Sequence, residues 1–175
     1  MIRSFEAHTP VLGDGAWVDA QALVLGEVSL GADASVWPMA AVRGDVHRIT
    51  VGARSNIQDN STLHVTHDGP YSPGGQPLVV GDDVTVGHGV TLHACTIGDR
   101  CLIGMGSLVL DGAVLDDEVY LAAGSLVPPG KHLEGGWLYR GAPATAARPL
   151  TDDEREWLRY SAAHYVRLKN RHAAS

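Results

Sequence analysis

Two cysteines, thirteen basic residues against twenty acids, and no long apolar run: this 175-residue sequence is marked first by what it leaves out. Two thiols, Cys95 and Cys101, cannot build a disulfide framework, and they lack the close cysteine pairs of a zinc ribbon or a thiol-redox motif. They read as small buried side chains. The shortage of lysine and arginine leaves a formal charge of -7, which offers a phosphate backbone nothing to hold and argues against nucleic acid as a partner. No segment is apolar for long enough to span a bilayer, no basic run suits a membrane surface, and the opening MIRSFEAHTP carries no secretory apolar stretch. A cytoplasmic protein is expected.

What is abundant is regularity. Aliphatic residues fall six apart at Val18, Val24, Leu30, Val36 and Val42, again at Val51, Ile57 and Leu63, at Val80, Val86 and Leu92, and from Ile97 through Ile103, Val109, Leu115 and Leu121 to Val127. A small residue or valine commonly follows four later, as at Ala34, Ser55, Ser61, Val84, Cys101 and Ser125. Segments such as LGADAS, VGDDVT and IGMGSL have the look of hexapeptide repeats. One aliphatic and one small side chain per hexad point inward, the residues between turn a corner, and three hexads close a triangular coil of short parallel strands. The reading is therefore an all-β solenoid over residues 1–150, with a C-terminal α-helix over 151–175 packed on its outside. Thr151 is the expected N-cap, Glu154 completes a capping box, and Leu158, Ala162, Tyr165 and Leu168 line one face. The step from Val42 to Val51 is nine residues and that from Leu63 to Val80 is seventeen. The second, rich in glycine and proline, is expected to throw a loop out of one corner at about residues 65–79.

The nine histidines carry the functional question, since neutral imidazole is the usual nitrogen ligand for zinc. His88 and His93 are five apart, so neither a helix nor a flat strand aims both at one target. Counting hexads in threes, and each interruption as one corner-to-corner step, places Val42, Leu63 and Leu92 on one face of successive coils. The residues after them, Arg43, His64 and His93, then stack in a column. His88 belongs to the preceding face and points elsewhere. It joins His64 and His93 only across a boundary between chains, for which a cyclic trimer is the simplest closed arrangement. Three imidazoles with an open fourth position form a catalytic zinc shell.

The segments VWPMAAVRGD, NIQDNSTLHV and VGHGVTLHAC, with SAAHYVRL in the helix, resemble the γ-class carbonic anhydrases and their short bacterial relatives, some known as hexapeptide-repeat transferase-like or ferripyochelin-binding proteins. The similarity runs from about Gly13 to about Leu168. It implies a left-handed parallel β-helix and a homotrimer, with zinc (or iron or cobalt) held between subunits by His64 and His93 of one chain and His88 of its neighbour. It implies reversible hydration of carbon dioxide to bicarbonate. Arg43 and Asp45 match an ion pair at the subunit boundary, and Gln58 the glutamine that orients the oxygen nucleophile or product. Asp59 matches the acid beside it, with a corner residue bonding its own backbone as the competing reading. Tyr165 matches a helix tyrosine near the metal, or else a core-facing aromatic. Where prototype members carry proton-relay glutamates this sequence has Val46 after Asp45 and, in the loop, only Asp68 as an acid, which leaves His67 as a substitute shuttle. Three further functions fit a hexapeptide chain: an acyltransferase using a histidine base, an acyl-CoA thioesterase, and a non-catalytic trimeric scaffold stapled by metal.

Overall fold

The computed structural model describes residues 1–175. Its backbone is a left-handed parallel β-helix of triangular coils, with one α-helix, Asp152–Ala173, laid along the outside. Three columns of core residues run down the prism. On the first face Val24 pairs with Val42, Val42 with Leu63, Leu63 with Leu92, Leu92 with Val109 and Val109 with Val127. The second carries Leu30, Val51, Val80, Ile97, Leu115 and Leu133. The third carries Val36, Ile57, Val86, Ile103, Leu121 and Tyr139. Both long steps thus take the chain from the first face to the second, as one corner-to-corner move each.

The hexad is visible in burial. Its aliphatic position and the small residue four later are shielded almost everywhere, Ala34, Ser55, Ser61, Val84, Cys101, Ser107, Ala113 and Ser125 included. The inward serines are tolerable because the coils offer them partners: Ser55 Oγ donates to Gly81 O at 2.7 Å and accepts from Val84 N at 2.9 Å. A buried hydroxyl left alone would cost roughly 1–3 kcal/mol. Burial pushes both thiols up, Cys101 to about 12, so they stay protonated and inert.

The corner itself lies three residues after the aliphatic position, where the backbone turns left-handed. Asp33, Arg54, Asp83, Arg100 and Glu118 all adopt φ between 55° and 60° there, a conformation that costs a residue with a Cβ about 1–2 kcal/mol. Their side chains help to offset it, since these corners stack: Arg54 forks onto Asp83 at 2.6 and 2.7 Å. The glycine directly after the aliphatic residue has another purpose, which is close stacking. A Cβ on Gly104 would lie 2.3 Å from Ala123 N of the next coil.

Beyond Val127, His132–Leu133 and Trp137–Arg140 complete another coil, and Thr145–Pro149 then folds back antiparallel on Trp137–Arg140. Two details differ from the sequence expectation. The thrown-out loop closes at Pro77, since Leu78–Val80 is already strand, and it is pinned at its base by pairing of Thr66 with Gln76. The helix does start with Thr151 and Glu154 in a reciprocal capping box, but its buried face is Leu158, Ser161, Ala162 and Lys169, with Leu168 only half-buried. Near the helix end the surface below is polar, and Lys169 Nζ finds Gly15 O and Asp33 Oδ1 there, each at 2.7 Å. The helix thereby runs back along the third face. Arg155 meets Glu118 near its start, Ser161 Oγ lies 2.9 Å from Thr85 Oγ1, and Tyr165 sits edge-on to Trp37.

Candidate metal centre

His64 and His93 end the strands Thr62–His64 and Thr91–His93, which pair in register with His64 directly opposite His93. Each follows an inward leucine and so points outward from the first face. The two rings meet at His64 Nδ1 and His93 Nε2, 3.1 Å apart. Their other nitrogens are both taken by carboxylates: His64 Nε2 lies 3.0 Å from Asp45 Oδ1, and His93 Nδ1 lies 2.6 Å from Asp111 Oδ1. A carboxylate accepts only, so a neutral imidazole carries its single N–H toward it and turns a lone pair the other way. Two lone pairs are thereby directed at one another. A tetrahedral ion bound at 2.0–2.1 Å sets its nitrogen ligands roughly 3.3 Å apart. The observed separation fits that donor set.

The electrostatics favour a neutral His64 and charged carboxylates at Asp45 and Asp111. Burial pushes His64 below the ordinary imidazole value, with the Arg43 charge adding to the effect and the Asp45 hydrogen bond opposing it. Burial alone would raise Asp45, but hydrogen bonds from Arg43 and His64 hold it below the usual carboxylate range. Asp111 is lowered in the same way: burial raises it, and hydrogen bonds from Thr66 and His93 outweigh that.

Arg43 and Asp45 close an ion pair within the chain, Nη1 to Oδ2 at 2.5 Å. Asp45 stands where the Ala41–Val51 strand carries extra residues relative to Leu23–Leu30, and this irregularity brings its carboxylate back over the histidine column.

His88 is elsewhere. It occupies the preceding corner of its coil, just before Gly89 with φ 67°, and 48% of its side chain is exposed. Its Nδ1 lies 3.0 Å from Asp59 Oδ2, which leaves Nε2 outward. Asp59 thus spends its side chain on His88 rather than on its own backbone. Gln58 is buried, donates from Nε2 to Asn56 Oδ1 at 3.0 Å and contacts the Tyr165 hydroxyl. Burial, reinforced by the charge of Asp59 and only partly offset by Gln58, raises Tyr165 and keeps it a phenol. Tyr165 is half-buried, packing edge-on against Trp37 with its hydroxyl toward Gln58. Gln58, His88 and Tyr165 line an apolar groove of about 770 Å³ between the helix and the third face, together with Leu102, Met105, Tyr120 and Trp157.

The structure therefore brings Arg43, Asp45, His64 and His93 together, gathers Gln58, Asp59, His88 and Tyr165 separately, and leaves His67 exposed on the loop, lining a small polar pocket with Thr66, Gln76 and Asp111. Within one chain no three histidine, cysteine or acidic side chains converge on a point suited to an ion. The residue that sequence reasoning missed is Asp111. Counting alone does not find it, since the Leu92–Val109 register puts Leu110 opposite His93 and Asp111 one residue beyond, at the corner.

No family model matches the chain. Protein YrdA of Escherichia coli is 51% identical over 170 residues, covering 97% of this chain and 92% of that protein. A mitochondrial protein of Arabidopsis thaliana named gamma carbonic anhydrase 1 is 40% identical over 165 residues, covering 94% of this chain and 60% of its own length. Among solved structures, a hexapeptide transferase family protein from Anaplasma phagocytophilum superposes with a TM-score of 0.89 at 37% identity, covering 97% of this chain and 96% of that one. A Bacillus cereus protein described as a putative acetyltransferase gives a TM-score of 0.92 at 36% identity, covering 99% and 97%.

Proposed function

Since the chain belongs to the γ-class carbonic anhydrase-like hexapeptide-repeat family, we propose that it is a metal-dependent carbonic anhydrase assembled as a homotrimer, with zinc the expected ion. Each site takes His64 and His93 from one protomer and His88 from the next. The observation that carries this reading is the His64–His93 pair, two carboxylate-oriented imidazoles whose free nitrogens face each other at 3.1 Å with no third ligand in the same chain. His88 supports it from the other side, being exposed at a corner with Asp59 on Nδ1 and Nε2 outward. Exposed Val46 and Leu108 flank the histidine column and give a neighbouring prism apolar surface to cover.

A divalent metal supplies Lewis acidity, which lets water yield hydroxide near neutral pH. The chain's own residues do the rest. Asp45 holds His64 in the ligand tautomer, and Arg43 keeps Asp45 ionised. Gln58, immobilised by Asn56 and adjoining the phenol of Tyr165, offers a fixed amide for orienting carbon dioxide or bicarbonate. Proton export falls to solvent and to His67, because Val46 and the loop residues bring no glutamate near the column.

The test is stopped-flow hydration on protein of verified metal content, across a buffer series. Hydration that is slow in weak buffer is expected to rise with added small buffer while kcat/KM changes little, and His67→Ala should deepen that dependence. Absence of hydration from metal-loaded protein would sink the proposal, and buffer-independent turnover in both proteins would remove the relay part of it. A parallel panel of acyl-CoA esters addresses the competing thioesterase and acyltransferase readings, for which the transferase-family structures give the fold alone a precedent.

A further inference from the structure

The carboxylate pairing of the three histidines includes one acid, Asp111, that the proposed function does not use. Asp111 follows the strand Leu108–Val109, which stacks on Thr91–His93 with Val109 opposite Leu92. That register puts Leu110 opposite His93, and Asp111, one residue further on, turns its side chain to the ring of His93, where Oδ1 reaches Nδ1 at 2.6 Å. Its second oxygen accepts from Thr66 Oγ1 at the base of the loop. Both oxygens are thus committed in fixed directions, one to the histidine and one to a residue whose backbone is itself pinned to Gln76.

We propose that Asp111 is the positioning residue for His93: it fixes the imidazole with the proton on Nδ1 and the Nε2 lone pair toward His64, and Thr66 fixes Asp111. This rests on the reading of His64, His88 and His93 as a shared metal shell. A ligand imidazole that keeps a hydrogen-bonded carboxylate on its other nitrogen is more basic and loses less orientational freedom on binding, and such outer partners are typically worth about 10–100-fold in metal affinity. Asp111 is distinct from Asp45, which divides its charge between His64 and Arg43. It is also distinct from Asp59, whose histidine lies at another corner.

The experiment uses the full-length assembled protein and two readouts. Zinc affinity is measured by competition with a chromophoric chelator, and the tautomer of His93 is read from ring nitrogen-15 shifts in metal-free protein at about pH 8.5, two units above the ordinary imidazole value. Wild type is expected to show His93 protonated on Nδ1. Asp111→Ala should lower zinc affinity by about 10–100-fold and let His93 populate the Nε2–H form. Asp111→Asn, nearly the same shape and still an acceptor, should keep the Nδ1–H form while losing about 10-fold in affinity. That variant keeps the test open if alanine disturbs the fold. Unchanged affinity in both variants, or an unaltered His93 tautomer in folded Asp111→Ala, would overturn the proposal. Failure of the wild type to bind zinc would instead overturn the shared-metal reading, and the tautomer result would still decide what Asp111 does.

Discussion

An imidazole is a good metal ligand only while it is neutral, so every charge near the column acts through its effect on protonation. Arg43 is the clearest case. Its positive charge disfavours a protonated His64, and it shares the Asp45 carboxylate that would otherwise stabilise that cation. Burial, the larger cause of the lowering, stays in place, but Arg43→Ala should still raise the pKa of His64, and the pH at which bound metal would be released should rise with it. The same substitution leaves Asp45 half-satisfied, and assembly should weaken, because a partly desolvated carboxylate without its partner is unfavourable. Titration of His64 by NMR and sedimentation at falling concentration check the two effects, and a His64 titration that stays put or moves down would contradict the first. The column itself was legible in the sequence, because a strict six-residue period converts residue number into position, so that Arg43, His64 and His93 could be stacked by counting. Asp111 was not singled out, since counting places backbone and not the reach of a corner side chain. The in-chain closure of Arg43 on Asp45 was hidden for a related reason: it depends on how the extra residues after Gly44 bulge.

At the scale of the element, the helix shows where pattern reading succeeds and where it stops. Its start was fully written in TDDE, since Thr151 and Glu154 cap each other and the acids of the first turn face the positive end of the helix dipole. Its far end was not. A stripe of apolar residues predicted Leu168 inward, whereas Lys169 is the residue only 2% exposed, and the reason lies in Gly15 and Asp33, acceptors more than a hundred residues away in sequence. The start also makes a pH prediction. Hydrogen bonds from Arg148, then from the Thr151 backbone, lower the Glu154 carboxyl to about 2. A carboxyl depressed on folding contributes stability that is present above its unfolded value near 4.5 and is lost as pH falls toward about 2. Glu154→Gln, which can keep the capping box but not the Arg148 ion pair, should lower stability near neutral pH by about 0.2–1 kcal/mol. The gap from wild type should close between about pH 4.5 and 2, as followed by thermal unfolding in circular dichroism. A gap that persists at the acid end would mean that the charge of Glu154 is not what stabilises the helix start.

The whole molecule decides whether the two half-sites ever meet. A prism with His64 and His93 on one face and His88 at a different corner cannot close a three-imidazole shell on itself, whereas the proposed cyclic trimer would close three of them, one at each boundary. That geometry makes a sharp demand on mixtures of inactive chains. A boundary is complete when one chain offers intact His64 and His93 and its neighbour offers intact His88. In a trimer containing both His64→Ala and His88→Ala chains, whichever is in the majority, going round the ring meets one boundary where a His88→Ala chain presents its pair to the His88 of a His64→Ala chain. Unfolding the two variants together and reassembling them at equal concentration should therefore restore roughly a quarter of wild-type metal binding, since about three in four random trimers are mixed and each holds one complete site in three. His64→Ala mixed with His93→Ala should restore none, because neither chain holds both stacked ligands and no neighbour supplies the missing one. Direct metal analysis is the readout, so the result does not depend on the substrate. Rescue in the second mixture, or none in the first when mass spectrometry shows that mixed trimers have formed, would mean that the ligands are divided between chains in some other way.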